Sequence, residues 1–155
     1  MFVDPRQARY AELQEVVGPA LFIPLDRPED RMIVGCGPDP YAVFLGGKWR
    51  GECIALRRAE NWEGMAIVGV GVEVDWSTAF RPDSNGKKSL TVIGRGDSLG
   101  VMADLKERHG YPQRITVTLD DEERSAEGTR LGFHRWRIVI GQGTEKITLV
   151  EIEPS

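Results

Sequence analysis

The stretch MAIVGVGVEVDW, Met65 to Trp76, decides how this chain is read. Its even positions are all apolar: Ala66, Val68, Val70, Val72, Val74 and Trp76. Its odd positions run Met65, Ile67, Gly69, Gly71, Glu73 and Asp75. Alternation with a period of two marks a strand with one face on a core. At about 3.3 Å per residue the segment would reach roughly 40 Å, long for one strand. Gly69 and Gly71 fall on the same face, one pleat repeat apart. A glycine inside a strand gives up packing and costs conformational entropy, so its presence has a positional reason. The reason is a sharp bend, a close approach of another backbone, or a ligand against bare backbone. The expected one is a bend that lets the strand arch over the core. Glu73 and Asp75 then carry its far end into water.

Upstream, ALFIPL and RMIVGCG are short apolar runs separated by the turn-rich DRPED. YAVFLGGKWRGECIAL places Gly46-Gly47 between two apolar runs and predicts a tight hairpin. RRAENWEG reads as a polar loop. Downstream, STAFRPDSNGKK is a turn with Asn85-Gly86 at its apex. SLTVIG and RITVTL follow as strands, the second with Ile115, Val117 and Leu119 inward. DDEERSAEGTR is a charged loop, and FHRWRIVIGQGTEKITLVEIE closes the chain as a hairpin around Gln142-Gly143.

Two segments carry helical punctuation. In VDPRQARYAELQEVVGP, Asp4 can cap, Pro5 suits the first helical position, and Gln7 completes a capping box. Tyr10, Leu13, Val16 and Val17 then form an apolar face that Gly18-Pro19 ends. In DSLGVMADLKERHG, Asp97 or Ser98 caps, Leu99, Met102 and Leu105 face inward, and Gly110 stops the helix. His109 in its last turn suits the helix dipole. The expectation is a single α+β domain over 1–155. It has a mainly antiparallel, strongly bent sheet or partly closed barrel, an N-terminal helix and one mid-chain helix.

The 155 residues suit one domain that needs no metal or disulfide staple. The formal charge of −4 counts against nucleic acid as a partner. No run is long and apolar enough for a membrane span, and the first residues lack a signal peptide's basic start and apolar run. Cys36 and Cys53 both sit in apolar contexts and read as reduced core thiols, which points to a cytoplasmic setting.

Chemistry-bearing motifs are sparse. IVGCGPDP, Ile33 to Pro40, resembles the glycine-rich first loop of nucleoside-dependent methyltransferases. That resemblance implies a following helix and a second strand with an acidic ribose ligand. YAVFLGGKW instead reads as strand and turn, so Gly35 and Gly37 are taken as turn residues with positive φ, stiffened by Pro38 and Pro40. The cysteines and histidines lack zinc-site spacing, Asp120 to Glu123 lacks the pattern of a calcium loop, and no nucleophile–base pair emerges. GRGDSLG contains Arg95-Gly96-Asp97, too short a motif to imply receptor binding. No cofactor is expected.

FHRWRIV places Phe133, Arg135 and Arg137 on one strand face, with His134, Trp136, Ile138 and Ile140 on the other. Arginine with an aromatic is an interface composition. Ion pairing with Glu145 or Glu151 across the hairpin is the alternative use of those arginines. The leading expectation is a non-enzymatic structural or protein-interaction subunit, with a protein partner or self-association through Phe133, Arg135 and Arg137. The second is a small-molecule-binding domain or small enzyme. Its pocket would lie at the mouth of a bent sheet, near Gly35, Gly37, Gly69, Gly71, Glu73, Asp75 or His134. In element order the chain also resembles small head–tail connector proteins of tailed phages, with a helix at the start and WRIVIGQGTEKITLVEIE at the end. That resemblance implies a ring-forming virion protein.

Overall fold

The computed structural model describes residues 7–81, 89–95, 98–106, 112–119, 130–141 and 143–153. In chain order its strands are β1 (Ala8–Glu12), β2 (Ala20–Pro24), β3 (Met32–Val34), β4 (Tyr41–Phe44), β5 (Glu52–Ala55), β6 (Glu63–Val68) and β7 (Gly71–Val74). They continue with β8 (Ala79–Phe80), β9 (Val92–Arg95), β10 (Ser98–Lys106), β11 (Pro112–Thr118), β12 (Leu131–Phe133), β13 (Trp136–Ile140) and β14 (Ile147–Ile152). An eleven-stranded sheet runs β1-β6-β2-β3-β4-β5-β10-β9-β12-β8, with β11 also paired to β10, and a three-stranded sheet runs β14-β13-β7. Neighbours are antiparallel except β5 and β10, which run parallel where Asp104 faces Glu52 and Leu105 faces Cys53. The large sheet does not close into a barrel.

The long apolar segment is two strands, not one. It breaks at Gly69, whose φ of +70° belongs to the left-handed region. Residues before the break pair with β1 and β2 in the large sheet. Residues after it pair with β13 in the small sheet. The expected bend is therefore a transfer between sheets. Only Gly69 needs glycine for it, because a Cβ on Gly71 would meet Val139 Cγ2 at an ordinary 3.6 Å.

Neither expected α-helix is present among the described residues, where the helical turns are short 3-10 segments. The fold is mostly β rather than α+β. The N-terminal segment gives edge strand β1 and a 3-10 turn, Leu13–Glu15. Leu13 and Val16 are buried, but Tyr10 and Val17, on the same expected helix face, are 63% and 71% exposed. Pairing Ala8–Glu12 with β6 satisfies a row of backbone groups that a short helix would leave at the sheet edge. The mid-chain segment is β10, the longest strand. It pairs with β9 and β11, and Val101 and Ala103 are fully buried. Period two (Leu99, Val101, Ala103, Leu105) wins there over the helical spacing of Leu99, Met102 and Leu105 because β10 is flanked by strands on both sides. The caps Asp4, Pro5 and Asp97, together with His109, Gly110, Asn85-Gly86, Asp120 to Glu123 and Gln142, lie outside the described residues.

Both faces of the large sheet are covered. Leu21, Ile33, Val43 and Ile67 meet the small sheet's Trp136, Ile138 and Val150 in one core. The alternate residues Phe22, Met32, Val34 and Ala66 face Leu13, Val16, Leu56 and Ala59 in a second. This double burial explains why β2, β3 and β4 read as unbroken apolar runs. β13 pairs with β14 as expected, and β4 with β5, but the latter two are joined by the seven residues 45–51 rather than by a tight turn at Gly46-Gly47.

Candidate functional site

Two surfaces gather the chemistry-bearing side chains. The first is the face of the small sheet that contains the arginines. Phe133 ends β12 in the large sheet, and the chain crosses to the small sheet before Trp136. Phe133 is therefore buried at 4% exposure rather than sharing an outer face with Arg135 and Arg137. Trp76 stands in its place, 70% exposed, its ring edge-to-face against Phe133 at 5.1 Å and 82°. Asp75 sets Trp76 in position. Its Oδ1 accepts from Ser77 N (2.9 Å) and Ser77 Oγ (2.7 Å), capping the turn Trp76–Thr78. Its backbone N donates to Arg135 O at 2.9 Å.

The arginines are ion-paired, but not across the hairpin. Arg137 donates to Glu73 Oε1 through Nε (2.8 Å) and Nη2 (2.7 Å). Lys146 donates to the other Glu73 oxygen. Lys146 first and Arg137 second hold the Glu73 carboxyl below the usual carboxylate range. Asp75 is lowered too, chiefly by its Ser77 bonds and less by Arg135, whose Nη1 lies 3.9 Å away. His134 is stacked on Phe80 (centroids 4.1 Å apart, 11° between planes). Glu73 on β7 and Arg137 on β13 thus come together with Asp75 and Arg135 in the segments that flank those strands, with Trp76 directly after Asp75 and Phe80 and His134 alongside Phe133.

Gly35 and Gly37 lie elsewhere, in the β3–β4 turn. Gly37 has a φ of +113°, as a turn residue would. Gly35 has no positive φ; its role is close approach. A Cβ there would lie 2.5 Å from Val117 Cγ1 and 2.8 Å from Thr118 O, so the end of β11 occupies the space that a cofactor would need. Cys36 N donates to Thr118 O at 2.9 Å, fixing the same contact. Among the described residues no group of three or more potential metal ligands is present. The Cys53 thiol is pushed up to about 12, first by burial and then by Asp104 and Glu52. It is a poor nucleophile at neutral pH.

The second surface was not anticipated from the sequence. It is a cleft of about 1080 Å³ beside the second core. Phe44 at the end of β4, Trp49 in the β4–β5 loop and Trp62 just before β6 build its aromatic wall. The Phe44–Trp49 centroids are 5.4 Å apart, Phe44–Trp62 5.9 Å and Trp49–Trp62 6.2 Å. Gly47 (φ +76°) turns the loop, and the buried Asp30 carboxylate sits where a Gly47 side chain would have to go. The signal that could have found this site is two tryptophans in polar, glycine-flanked loops, KWRG and NWEG. Tryptophan there has no strand face to serve, so it marks either a loop folded over a core or a binding wall.

These features define a two-sheet β protein with an arginine–tryptophan face and an aromatic-walled cleft. The chain belongs to the y4lG family: residues 10–155 match the family described as "Uncharacterised protein y4lG". It is similar to the protein of that name from Sinorhizobium fredii (strain NBRC 101917 / NGR234), with 30% identity over 148 residues, 95% of this chain and 91% of that protein. No solved structure matches it. No described helix is long and apolar enough to cross a membrane.

Proposed function

We propose that this protein is a non-enzymatic interaction subunit that docks a protein partner on the face formed by Trp76, Arg135 and Arg137. The observation that carries this reading is Trp76. A large aromatic side chain, 70% exposed and braced edge-on against a buried phenylalanine, is pre-positioned for burial by a partner. Such anchors pay little ordering entropy on binding and dominate interface energies. The arginines form an ion-paired rim. Arg135, Arg137 and Lys146 share the carboxylates of Glu73 and Asp75, so the face has an excess of only one positive charge to offer a phosphate backbone, which favours a protein over a nucleic acid.

The enzyme alternative needed a pocket holding Glu73 and Asp75. Both carboxylates are instead engaged on the open face of the small sheet, as ion-pair partner and turn cap. The connector reading loses its initial helix, which is edge strand β1, and keeps only the closing β13–β14 hairpin.

Site-specific photocrosslinking tests the proposal. A benzophenone amino acid at position 76, irradiated in the producing cells, should give a discrete higher-mass protein adduct that Arg137→Ala weakens. The same probe at Val17, equally exposed on another surface, should not give it. Identical adducts from both positions, or none from position 76, would refute the docking face.

A further inference from the structure

We propose that the Phe44–Trp49–Trp62 cleft is a binding site for a neutral oligosaccharide. The geometry first excludes a cation cage. The three ring centroids are 5.4 to 6.2 Å apart, the spacing of rings in mutual contact, so no guest fits between them. Phe44 is buried behind the two indoles, so a ligand meets the half-buried Trp49 and Trp62 from outside. Lys48 Nζ lies 4.4 Å and Arg27 Cζ 6.0 Å from the Trp49 ring centroid, so a ligand reaches that indole face by displacing the exposed Lys48 side chain.

Charge then narrows the class. The acidic residues lining the cleft are Asp26, Glu52, Glu60 and Glu63. The basic ones are Arg27, Lys48, Arg57 and Arg58. The two sets balance, so the cleft draws neither a polyanion nor a polycation. Some of these groups already have partners: Arg57 is paired with Asp39, and Glu60 accepts from Trp62 Nε1 at 3.3 Å. With Arg57 neutralised by Asp39 from outside the cleft, what remains is an aromatic wall edged by interleaved donors and acceptors, four acidic against three basic, a bias too small to select a charged ligand. A sugar ring has the matching character. Its C–H face covers an indole, and its hydroxyls both donate to carboxylates and accept from guanidinium and amide groups such as Arg58 and Asn61. A cleft of about 1080 Å³ that opens to solvent lies just above the range of enclosed small-ligand sites, which suits several linked rings better than one. A proline-rich peptide is the rival occupant of an aromatic groove.

Two measurements decide between them, both on the full chain. On a printed glycan array the protein should bind neutral oligosaccharides. A silent array, or one bound only at acidic glycans, overturns the proposal. The chain has four tryptophans, so the indole N–H signals of ¹⁵N-labelled protein locate the site. Adding the best array glycan should shift Trp49 and Trp62, while Trp76 on the other surface and the buried Trp136 stay still. Shifts at Trp76 of equal size, or shifts of Trp49 and Trp62 produced by decaproline but by no glycan, overturn it. Trp49→Ala should weaken the glycan about tenfold or more. Because Trp49 also packs on the second core, Trp49→Phe, which keeps a ring in the wall, serves as a folded control and should bind between the two.

Discussion

Trp136 Nε1 donates to the carbonyl oxygen of Leu90 across 2.7 Å. The bond joins a fully buried side chain of the small sheet to a backbone group at the entry of β9 in the large one. Leu90 has a φ of +63°, a conformation that costs a non-glycine residue roughly 1–2 kcal/mol. Two flanking bonds hold it there: Leu90 N to Met102 O (2.8 Å) and Met102 N to Thr91 O (2.9 Å). The indole thus satisfies a carbonyl fixed in a strained turn and fills the space between the sheets. Trp136→Phe removes the donor and leaves a void, so it should cost about 2–4 kcal/mol in urea unfolding. A loss under about 1 kcal/mol would mean that the bond and the fill are both replaced by water or repacking.

Gly69 and Gly71 should behave differently, although the sequence presents them as a pair. Gly69→Ala forces an L side chain into positive φ and should lose about 1–2 kcal/mol, even though a Cβ there meets nothing within 4 Å. Gly71→Ala fills ordinary space in a strand and should be neutral or gain up to about 1 kcal/mol. Paired denaturation curves check this, and the opposite order would show that the strand does not change sheets at Gly69.

The strands legible in the sequence were those whose apolar residues run unbroken between turn residues, β2, β3, β4 and β9, those that alternate cleanly, such as β11, and the β13–β14 hairpin. Misreadings came where two periods competed. In LGVMADL, the positions that fit a helix (Leu99, Met102, Leu105) overlap those that fit a strand. Only the presence of β9 and β11 on either side resolves the choice, and that information is not local. Tyr10 to Val17 misled for a similar reason, since its cap-like flanks suited a helix while the exposed edge of β6 offered strand pairing. At the site, the Arg135–Arg137 surface was legible from composition. Phe133 was misplaced because a strand face assumes one continuous strand, and the chain changes sheets at His134. Trp49 and Trp62 were passed over because they sit in loops, where periodicity says nothing.

Gly47→Ala should disrupt the cleft more than any rim substitution. The new methyl would collide with Asp30 Oδ1 and also meet a φ of +76°. Moving a buried carboxylate off its seat adds to the backbone cost, so a loss of at least about 2 kcal/mol is expected. The Trp49 indole signal should shift, while that of Trp76 stays. A stable variant with an unmoved Trp49 would show that Asp30 does not set the loop.

Cys53 should be inert in the native protein. With its thiol pushed up to about 12, only about one part in ten thousand is thiolate at pH 8, and the side chain is buried. Iodoacetamide followed by peptide mass mapping should leave Cys53 unmodified until denaturant is added. Rapid native labelling at pH 8 would mean that the β5–β10 junction opens locally, since burial is the main cause of the shift.

Glu73 links stability to pH on the docking face. Its carboxyl is held below the usual range in the folded chain by Lys146 and Arg137, and returns to the ordinary value on unfolding. A folded value lower than the unfolded one means that the unfolded state binds the proton more readily. The contribution is therefore complete above the ordinary carboxylate range and is lost as pH falls through the folded value. The stability gap between wild type and Glu73→Gln should be widest at neutral pH and close progressively as the solution is acidified. Because the partners are substantially exposed, the neutral-pH gap should also shrink at high salt. Melting temperatures of both proteins, taken across this pH series at low and high salt, give the answer. Curves that stay parallel throughout would show that Arg137 and Lys146 hold no preference for the ionised carboxylate. Arg137 would then be a free cation at the rim, and the case for a nearly charge-balanced protein interface over a phosphate-binding one would go with it.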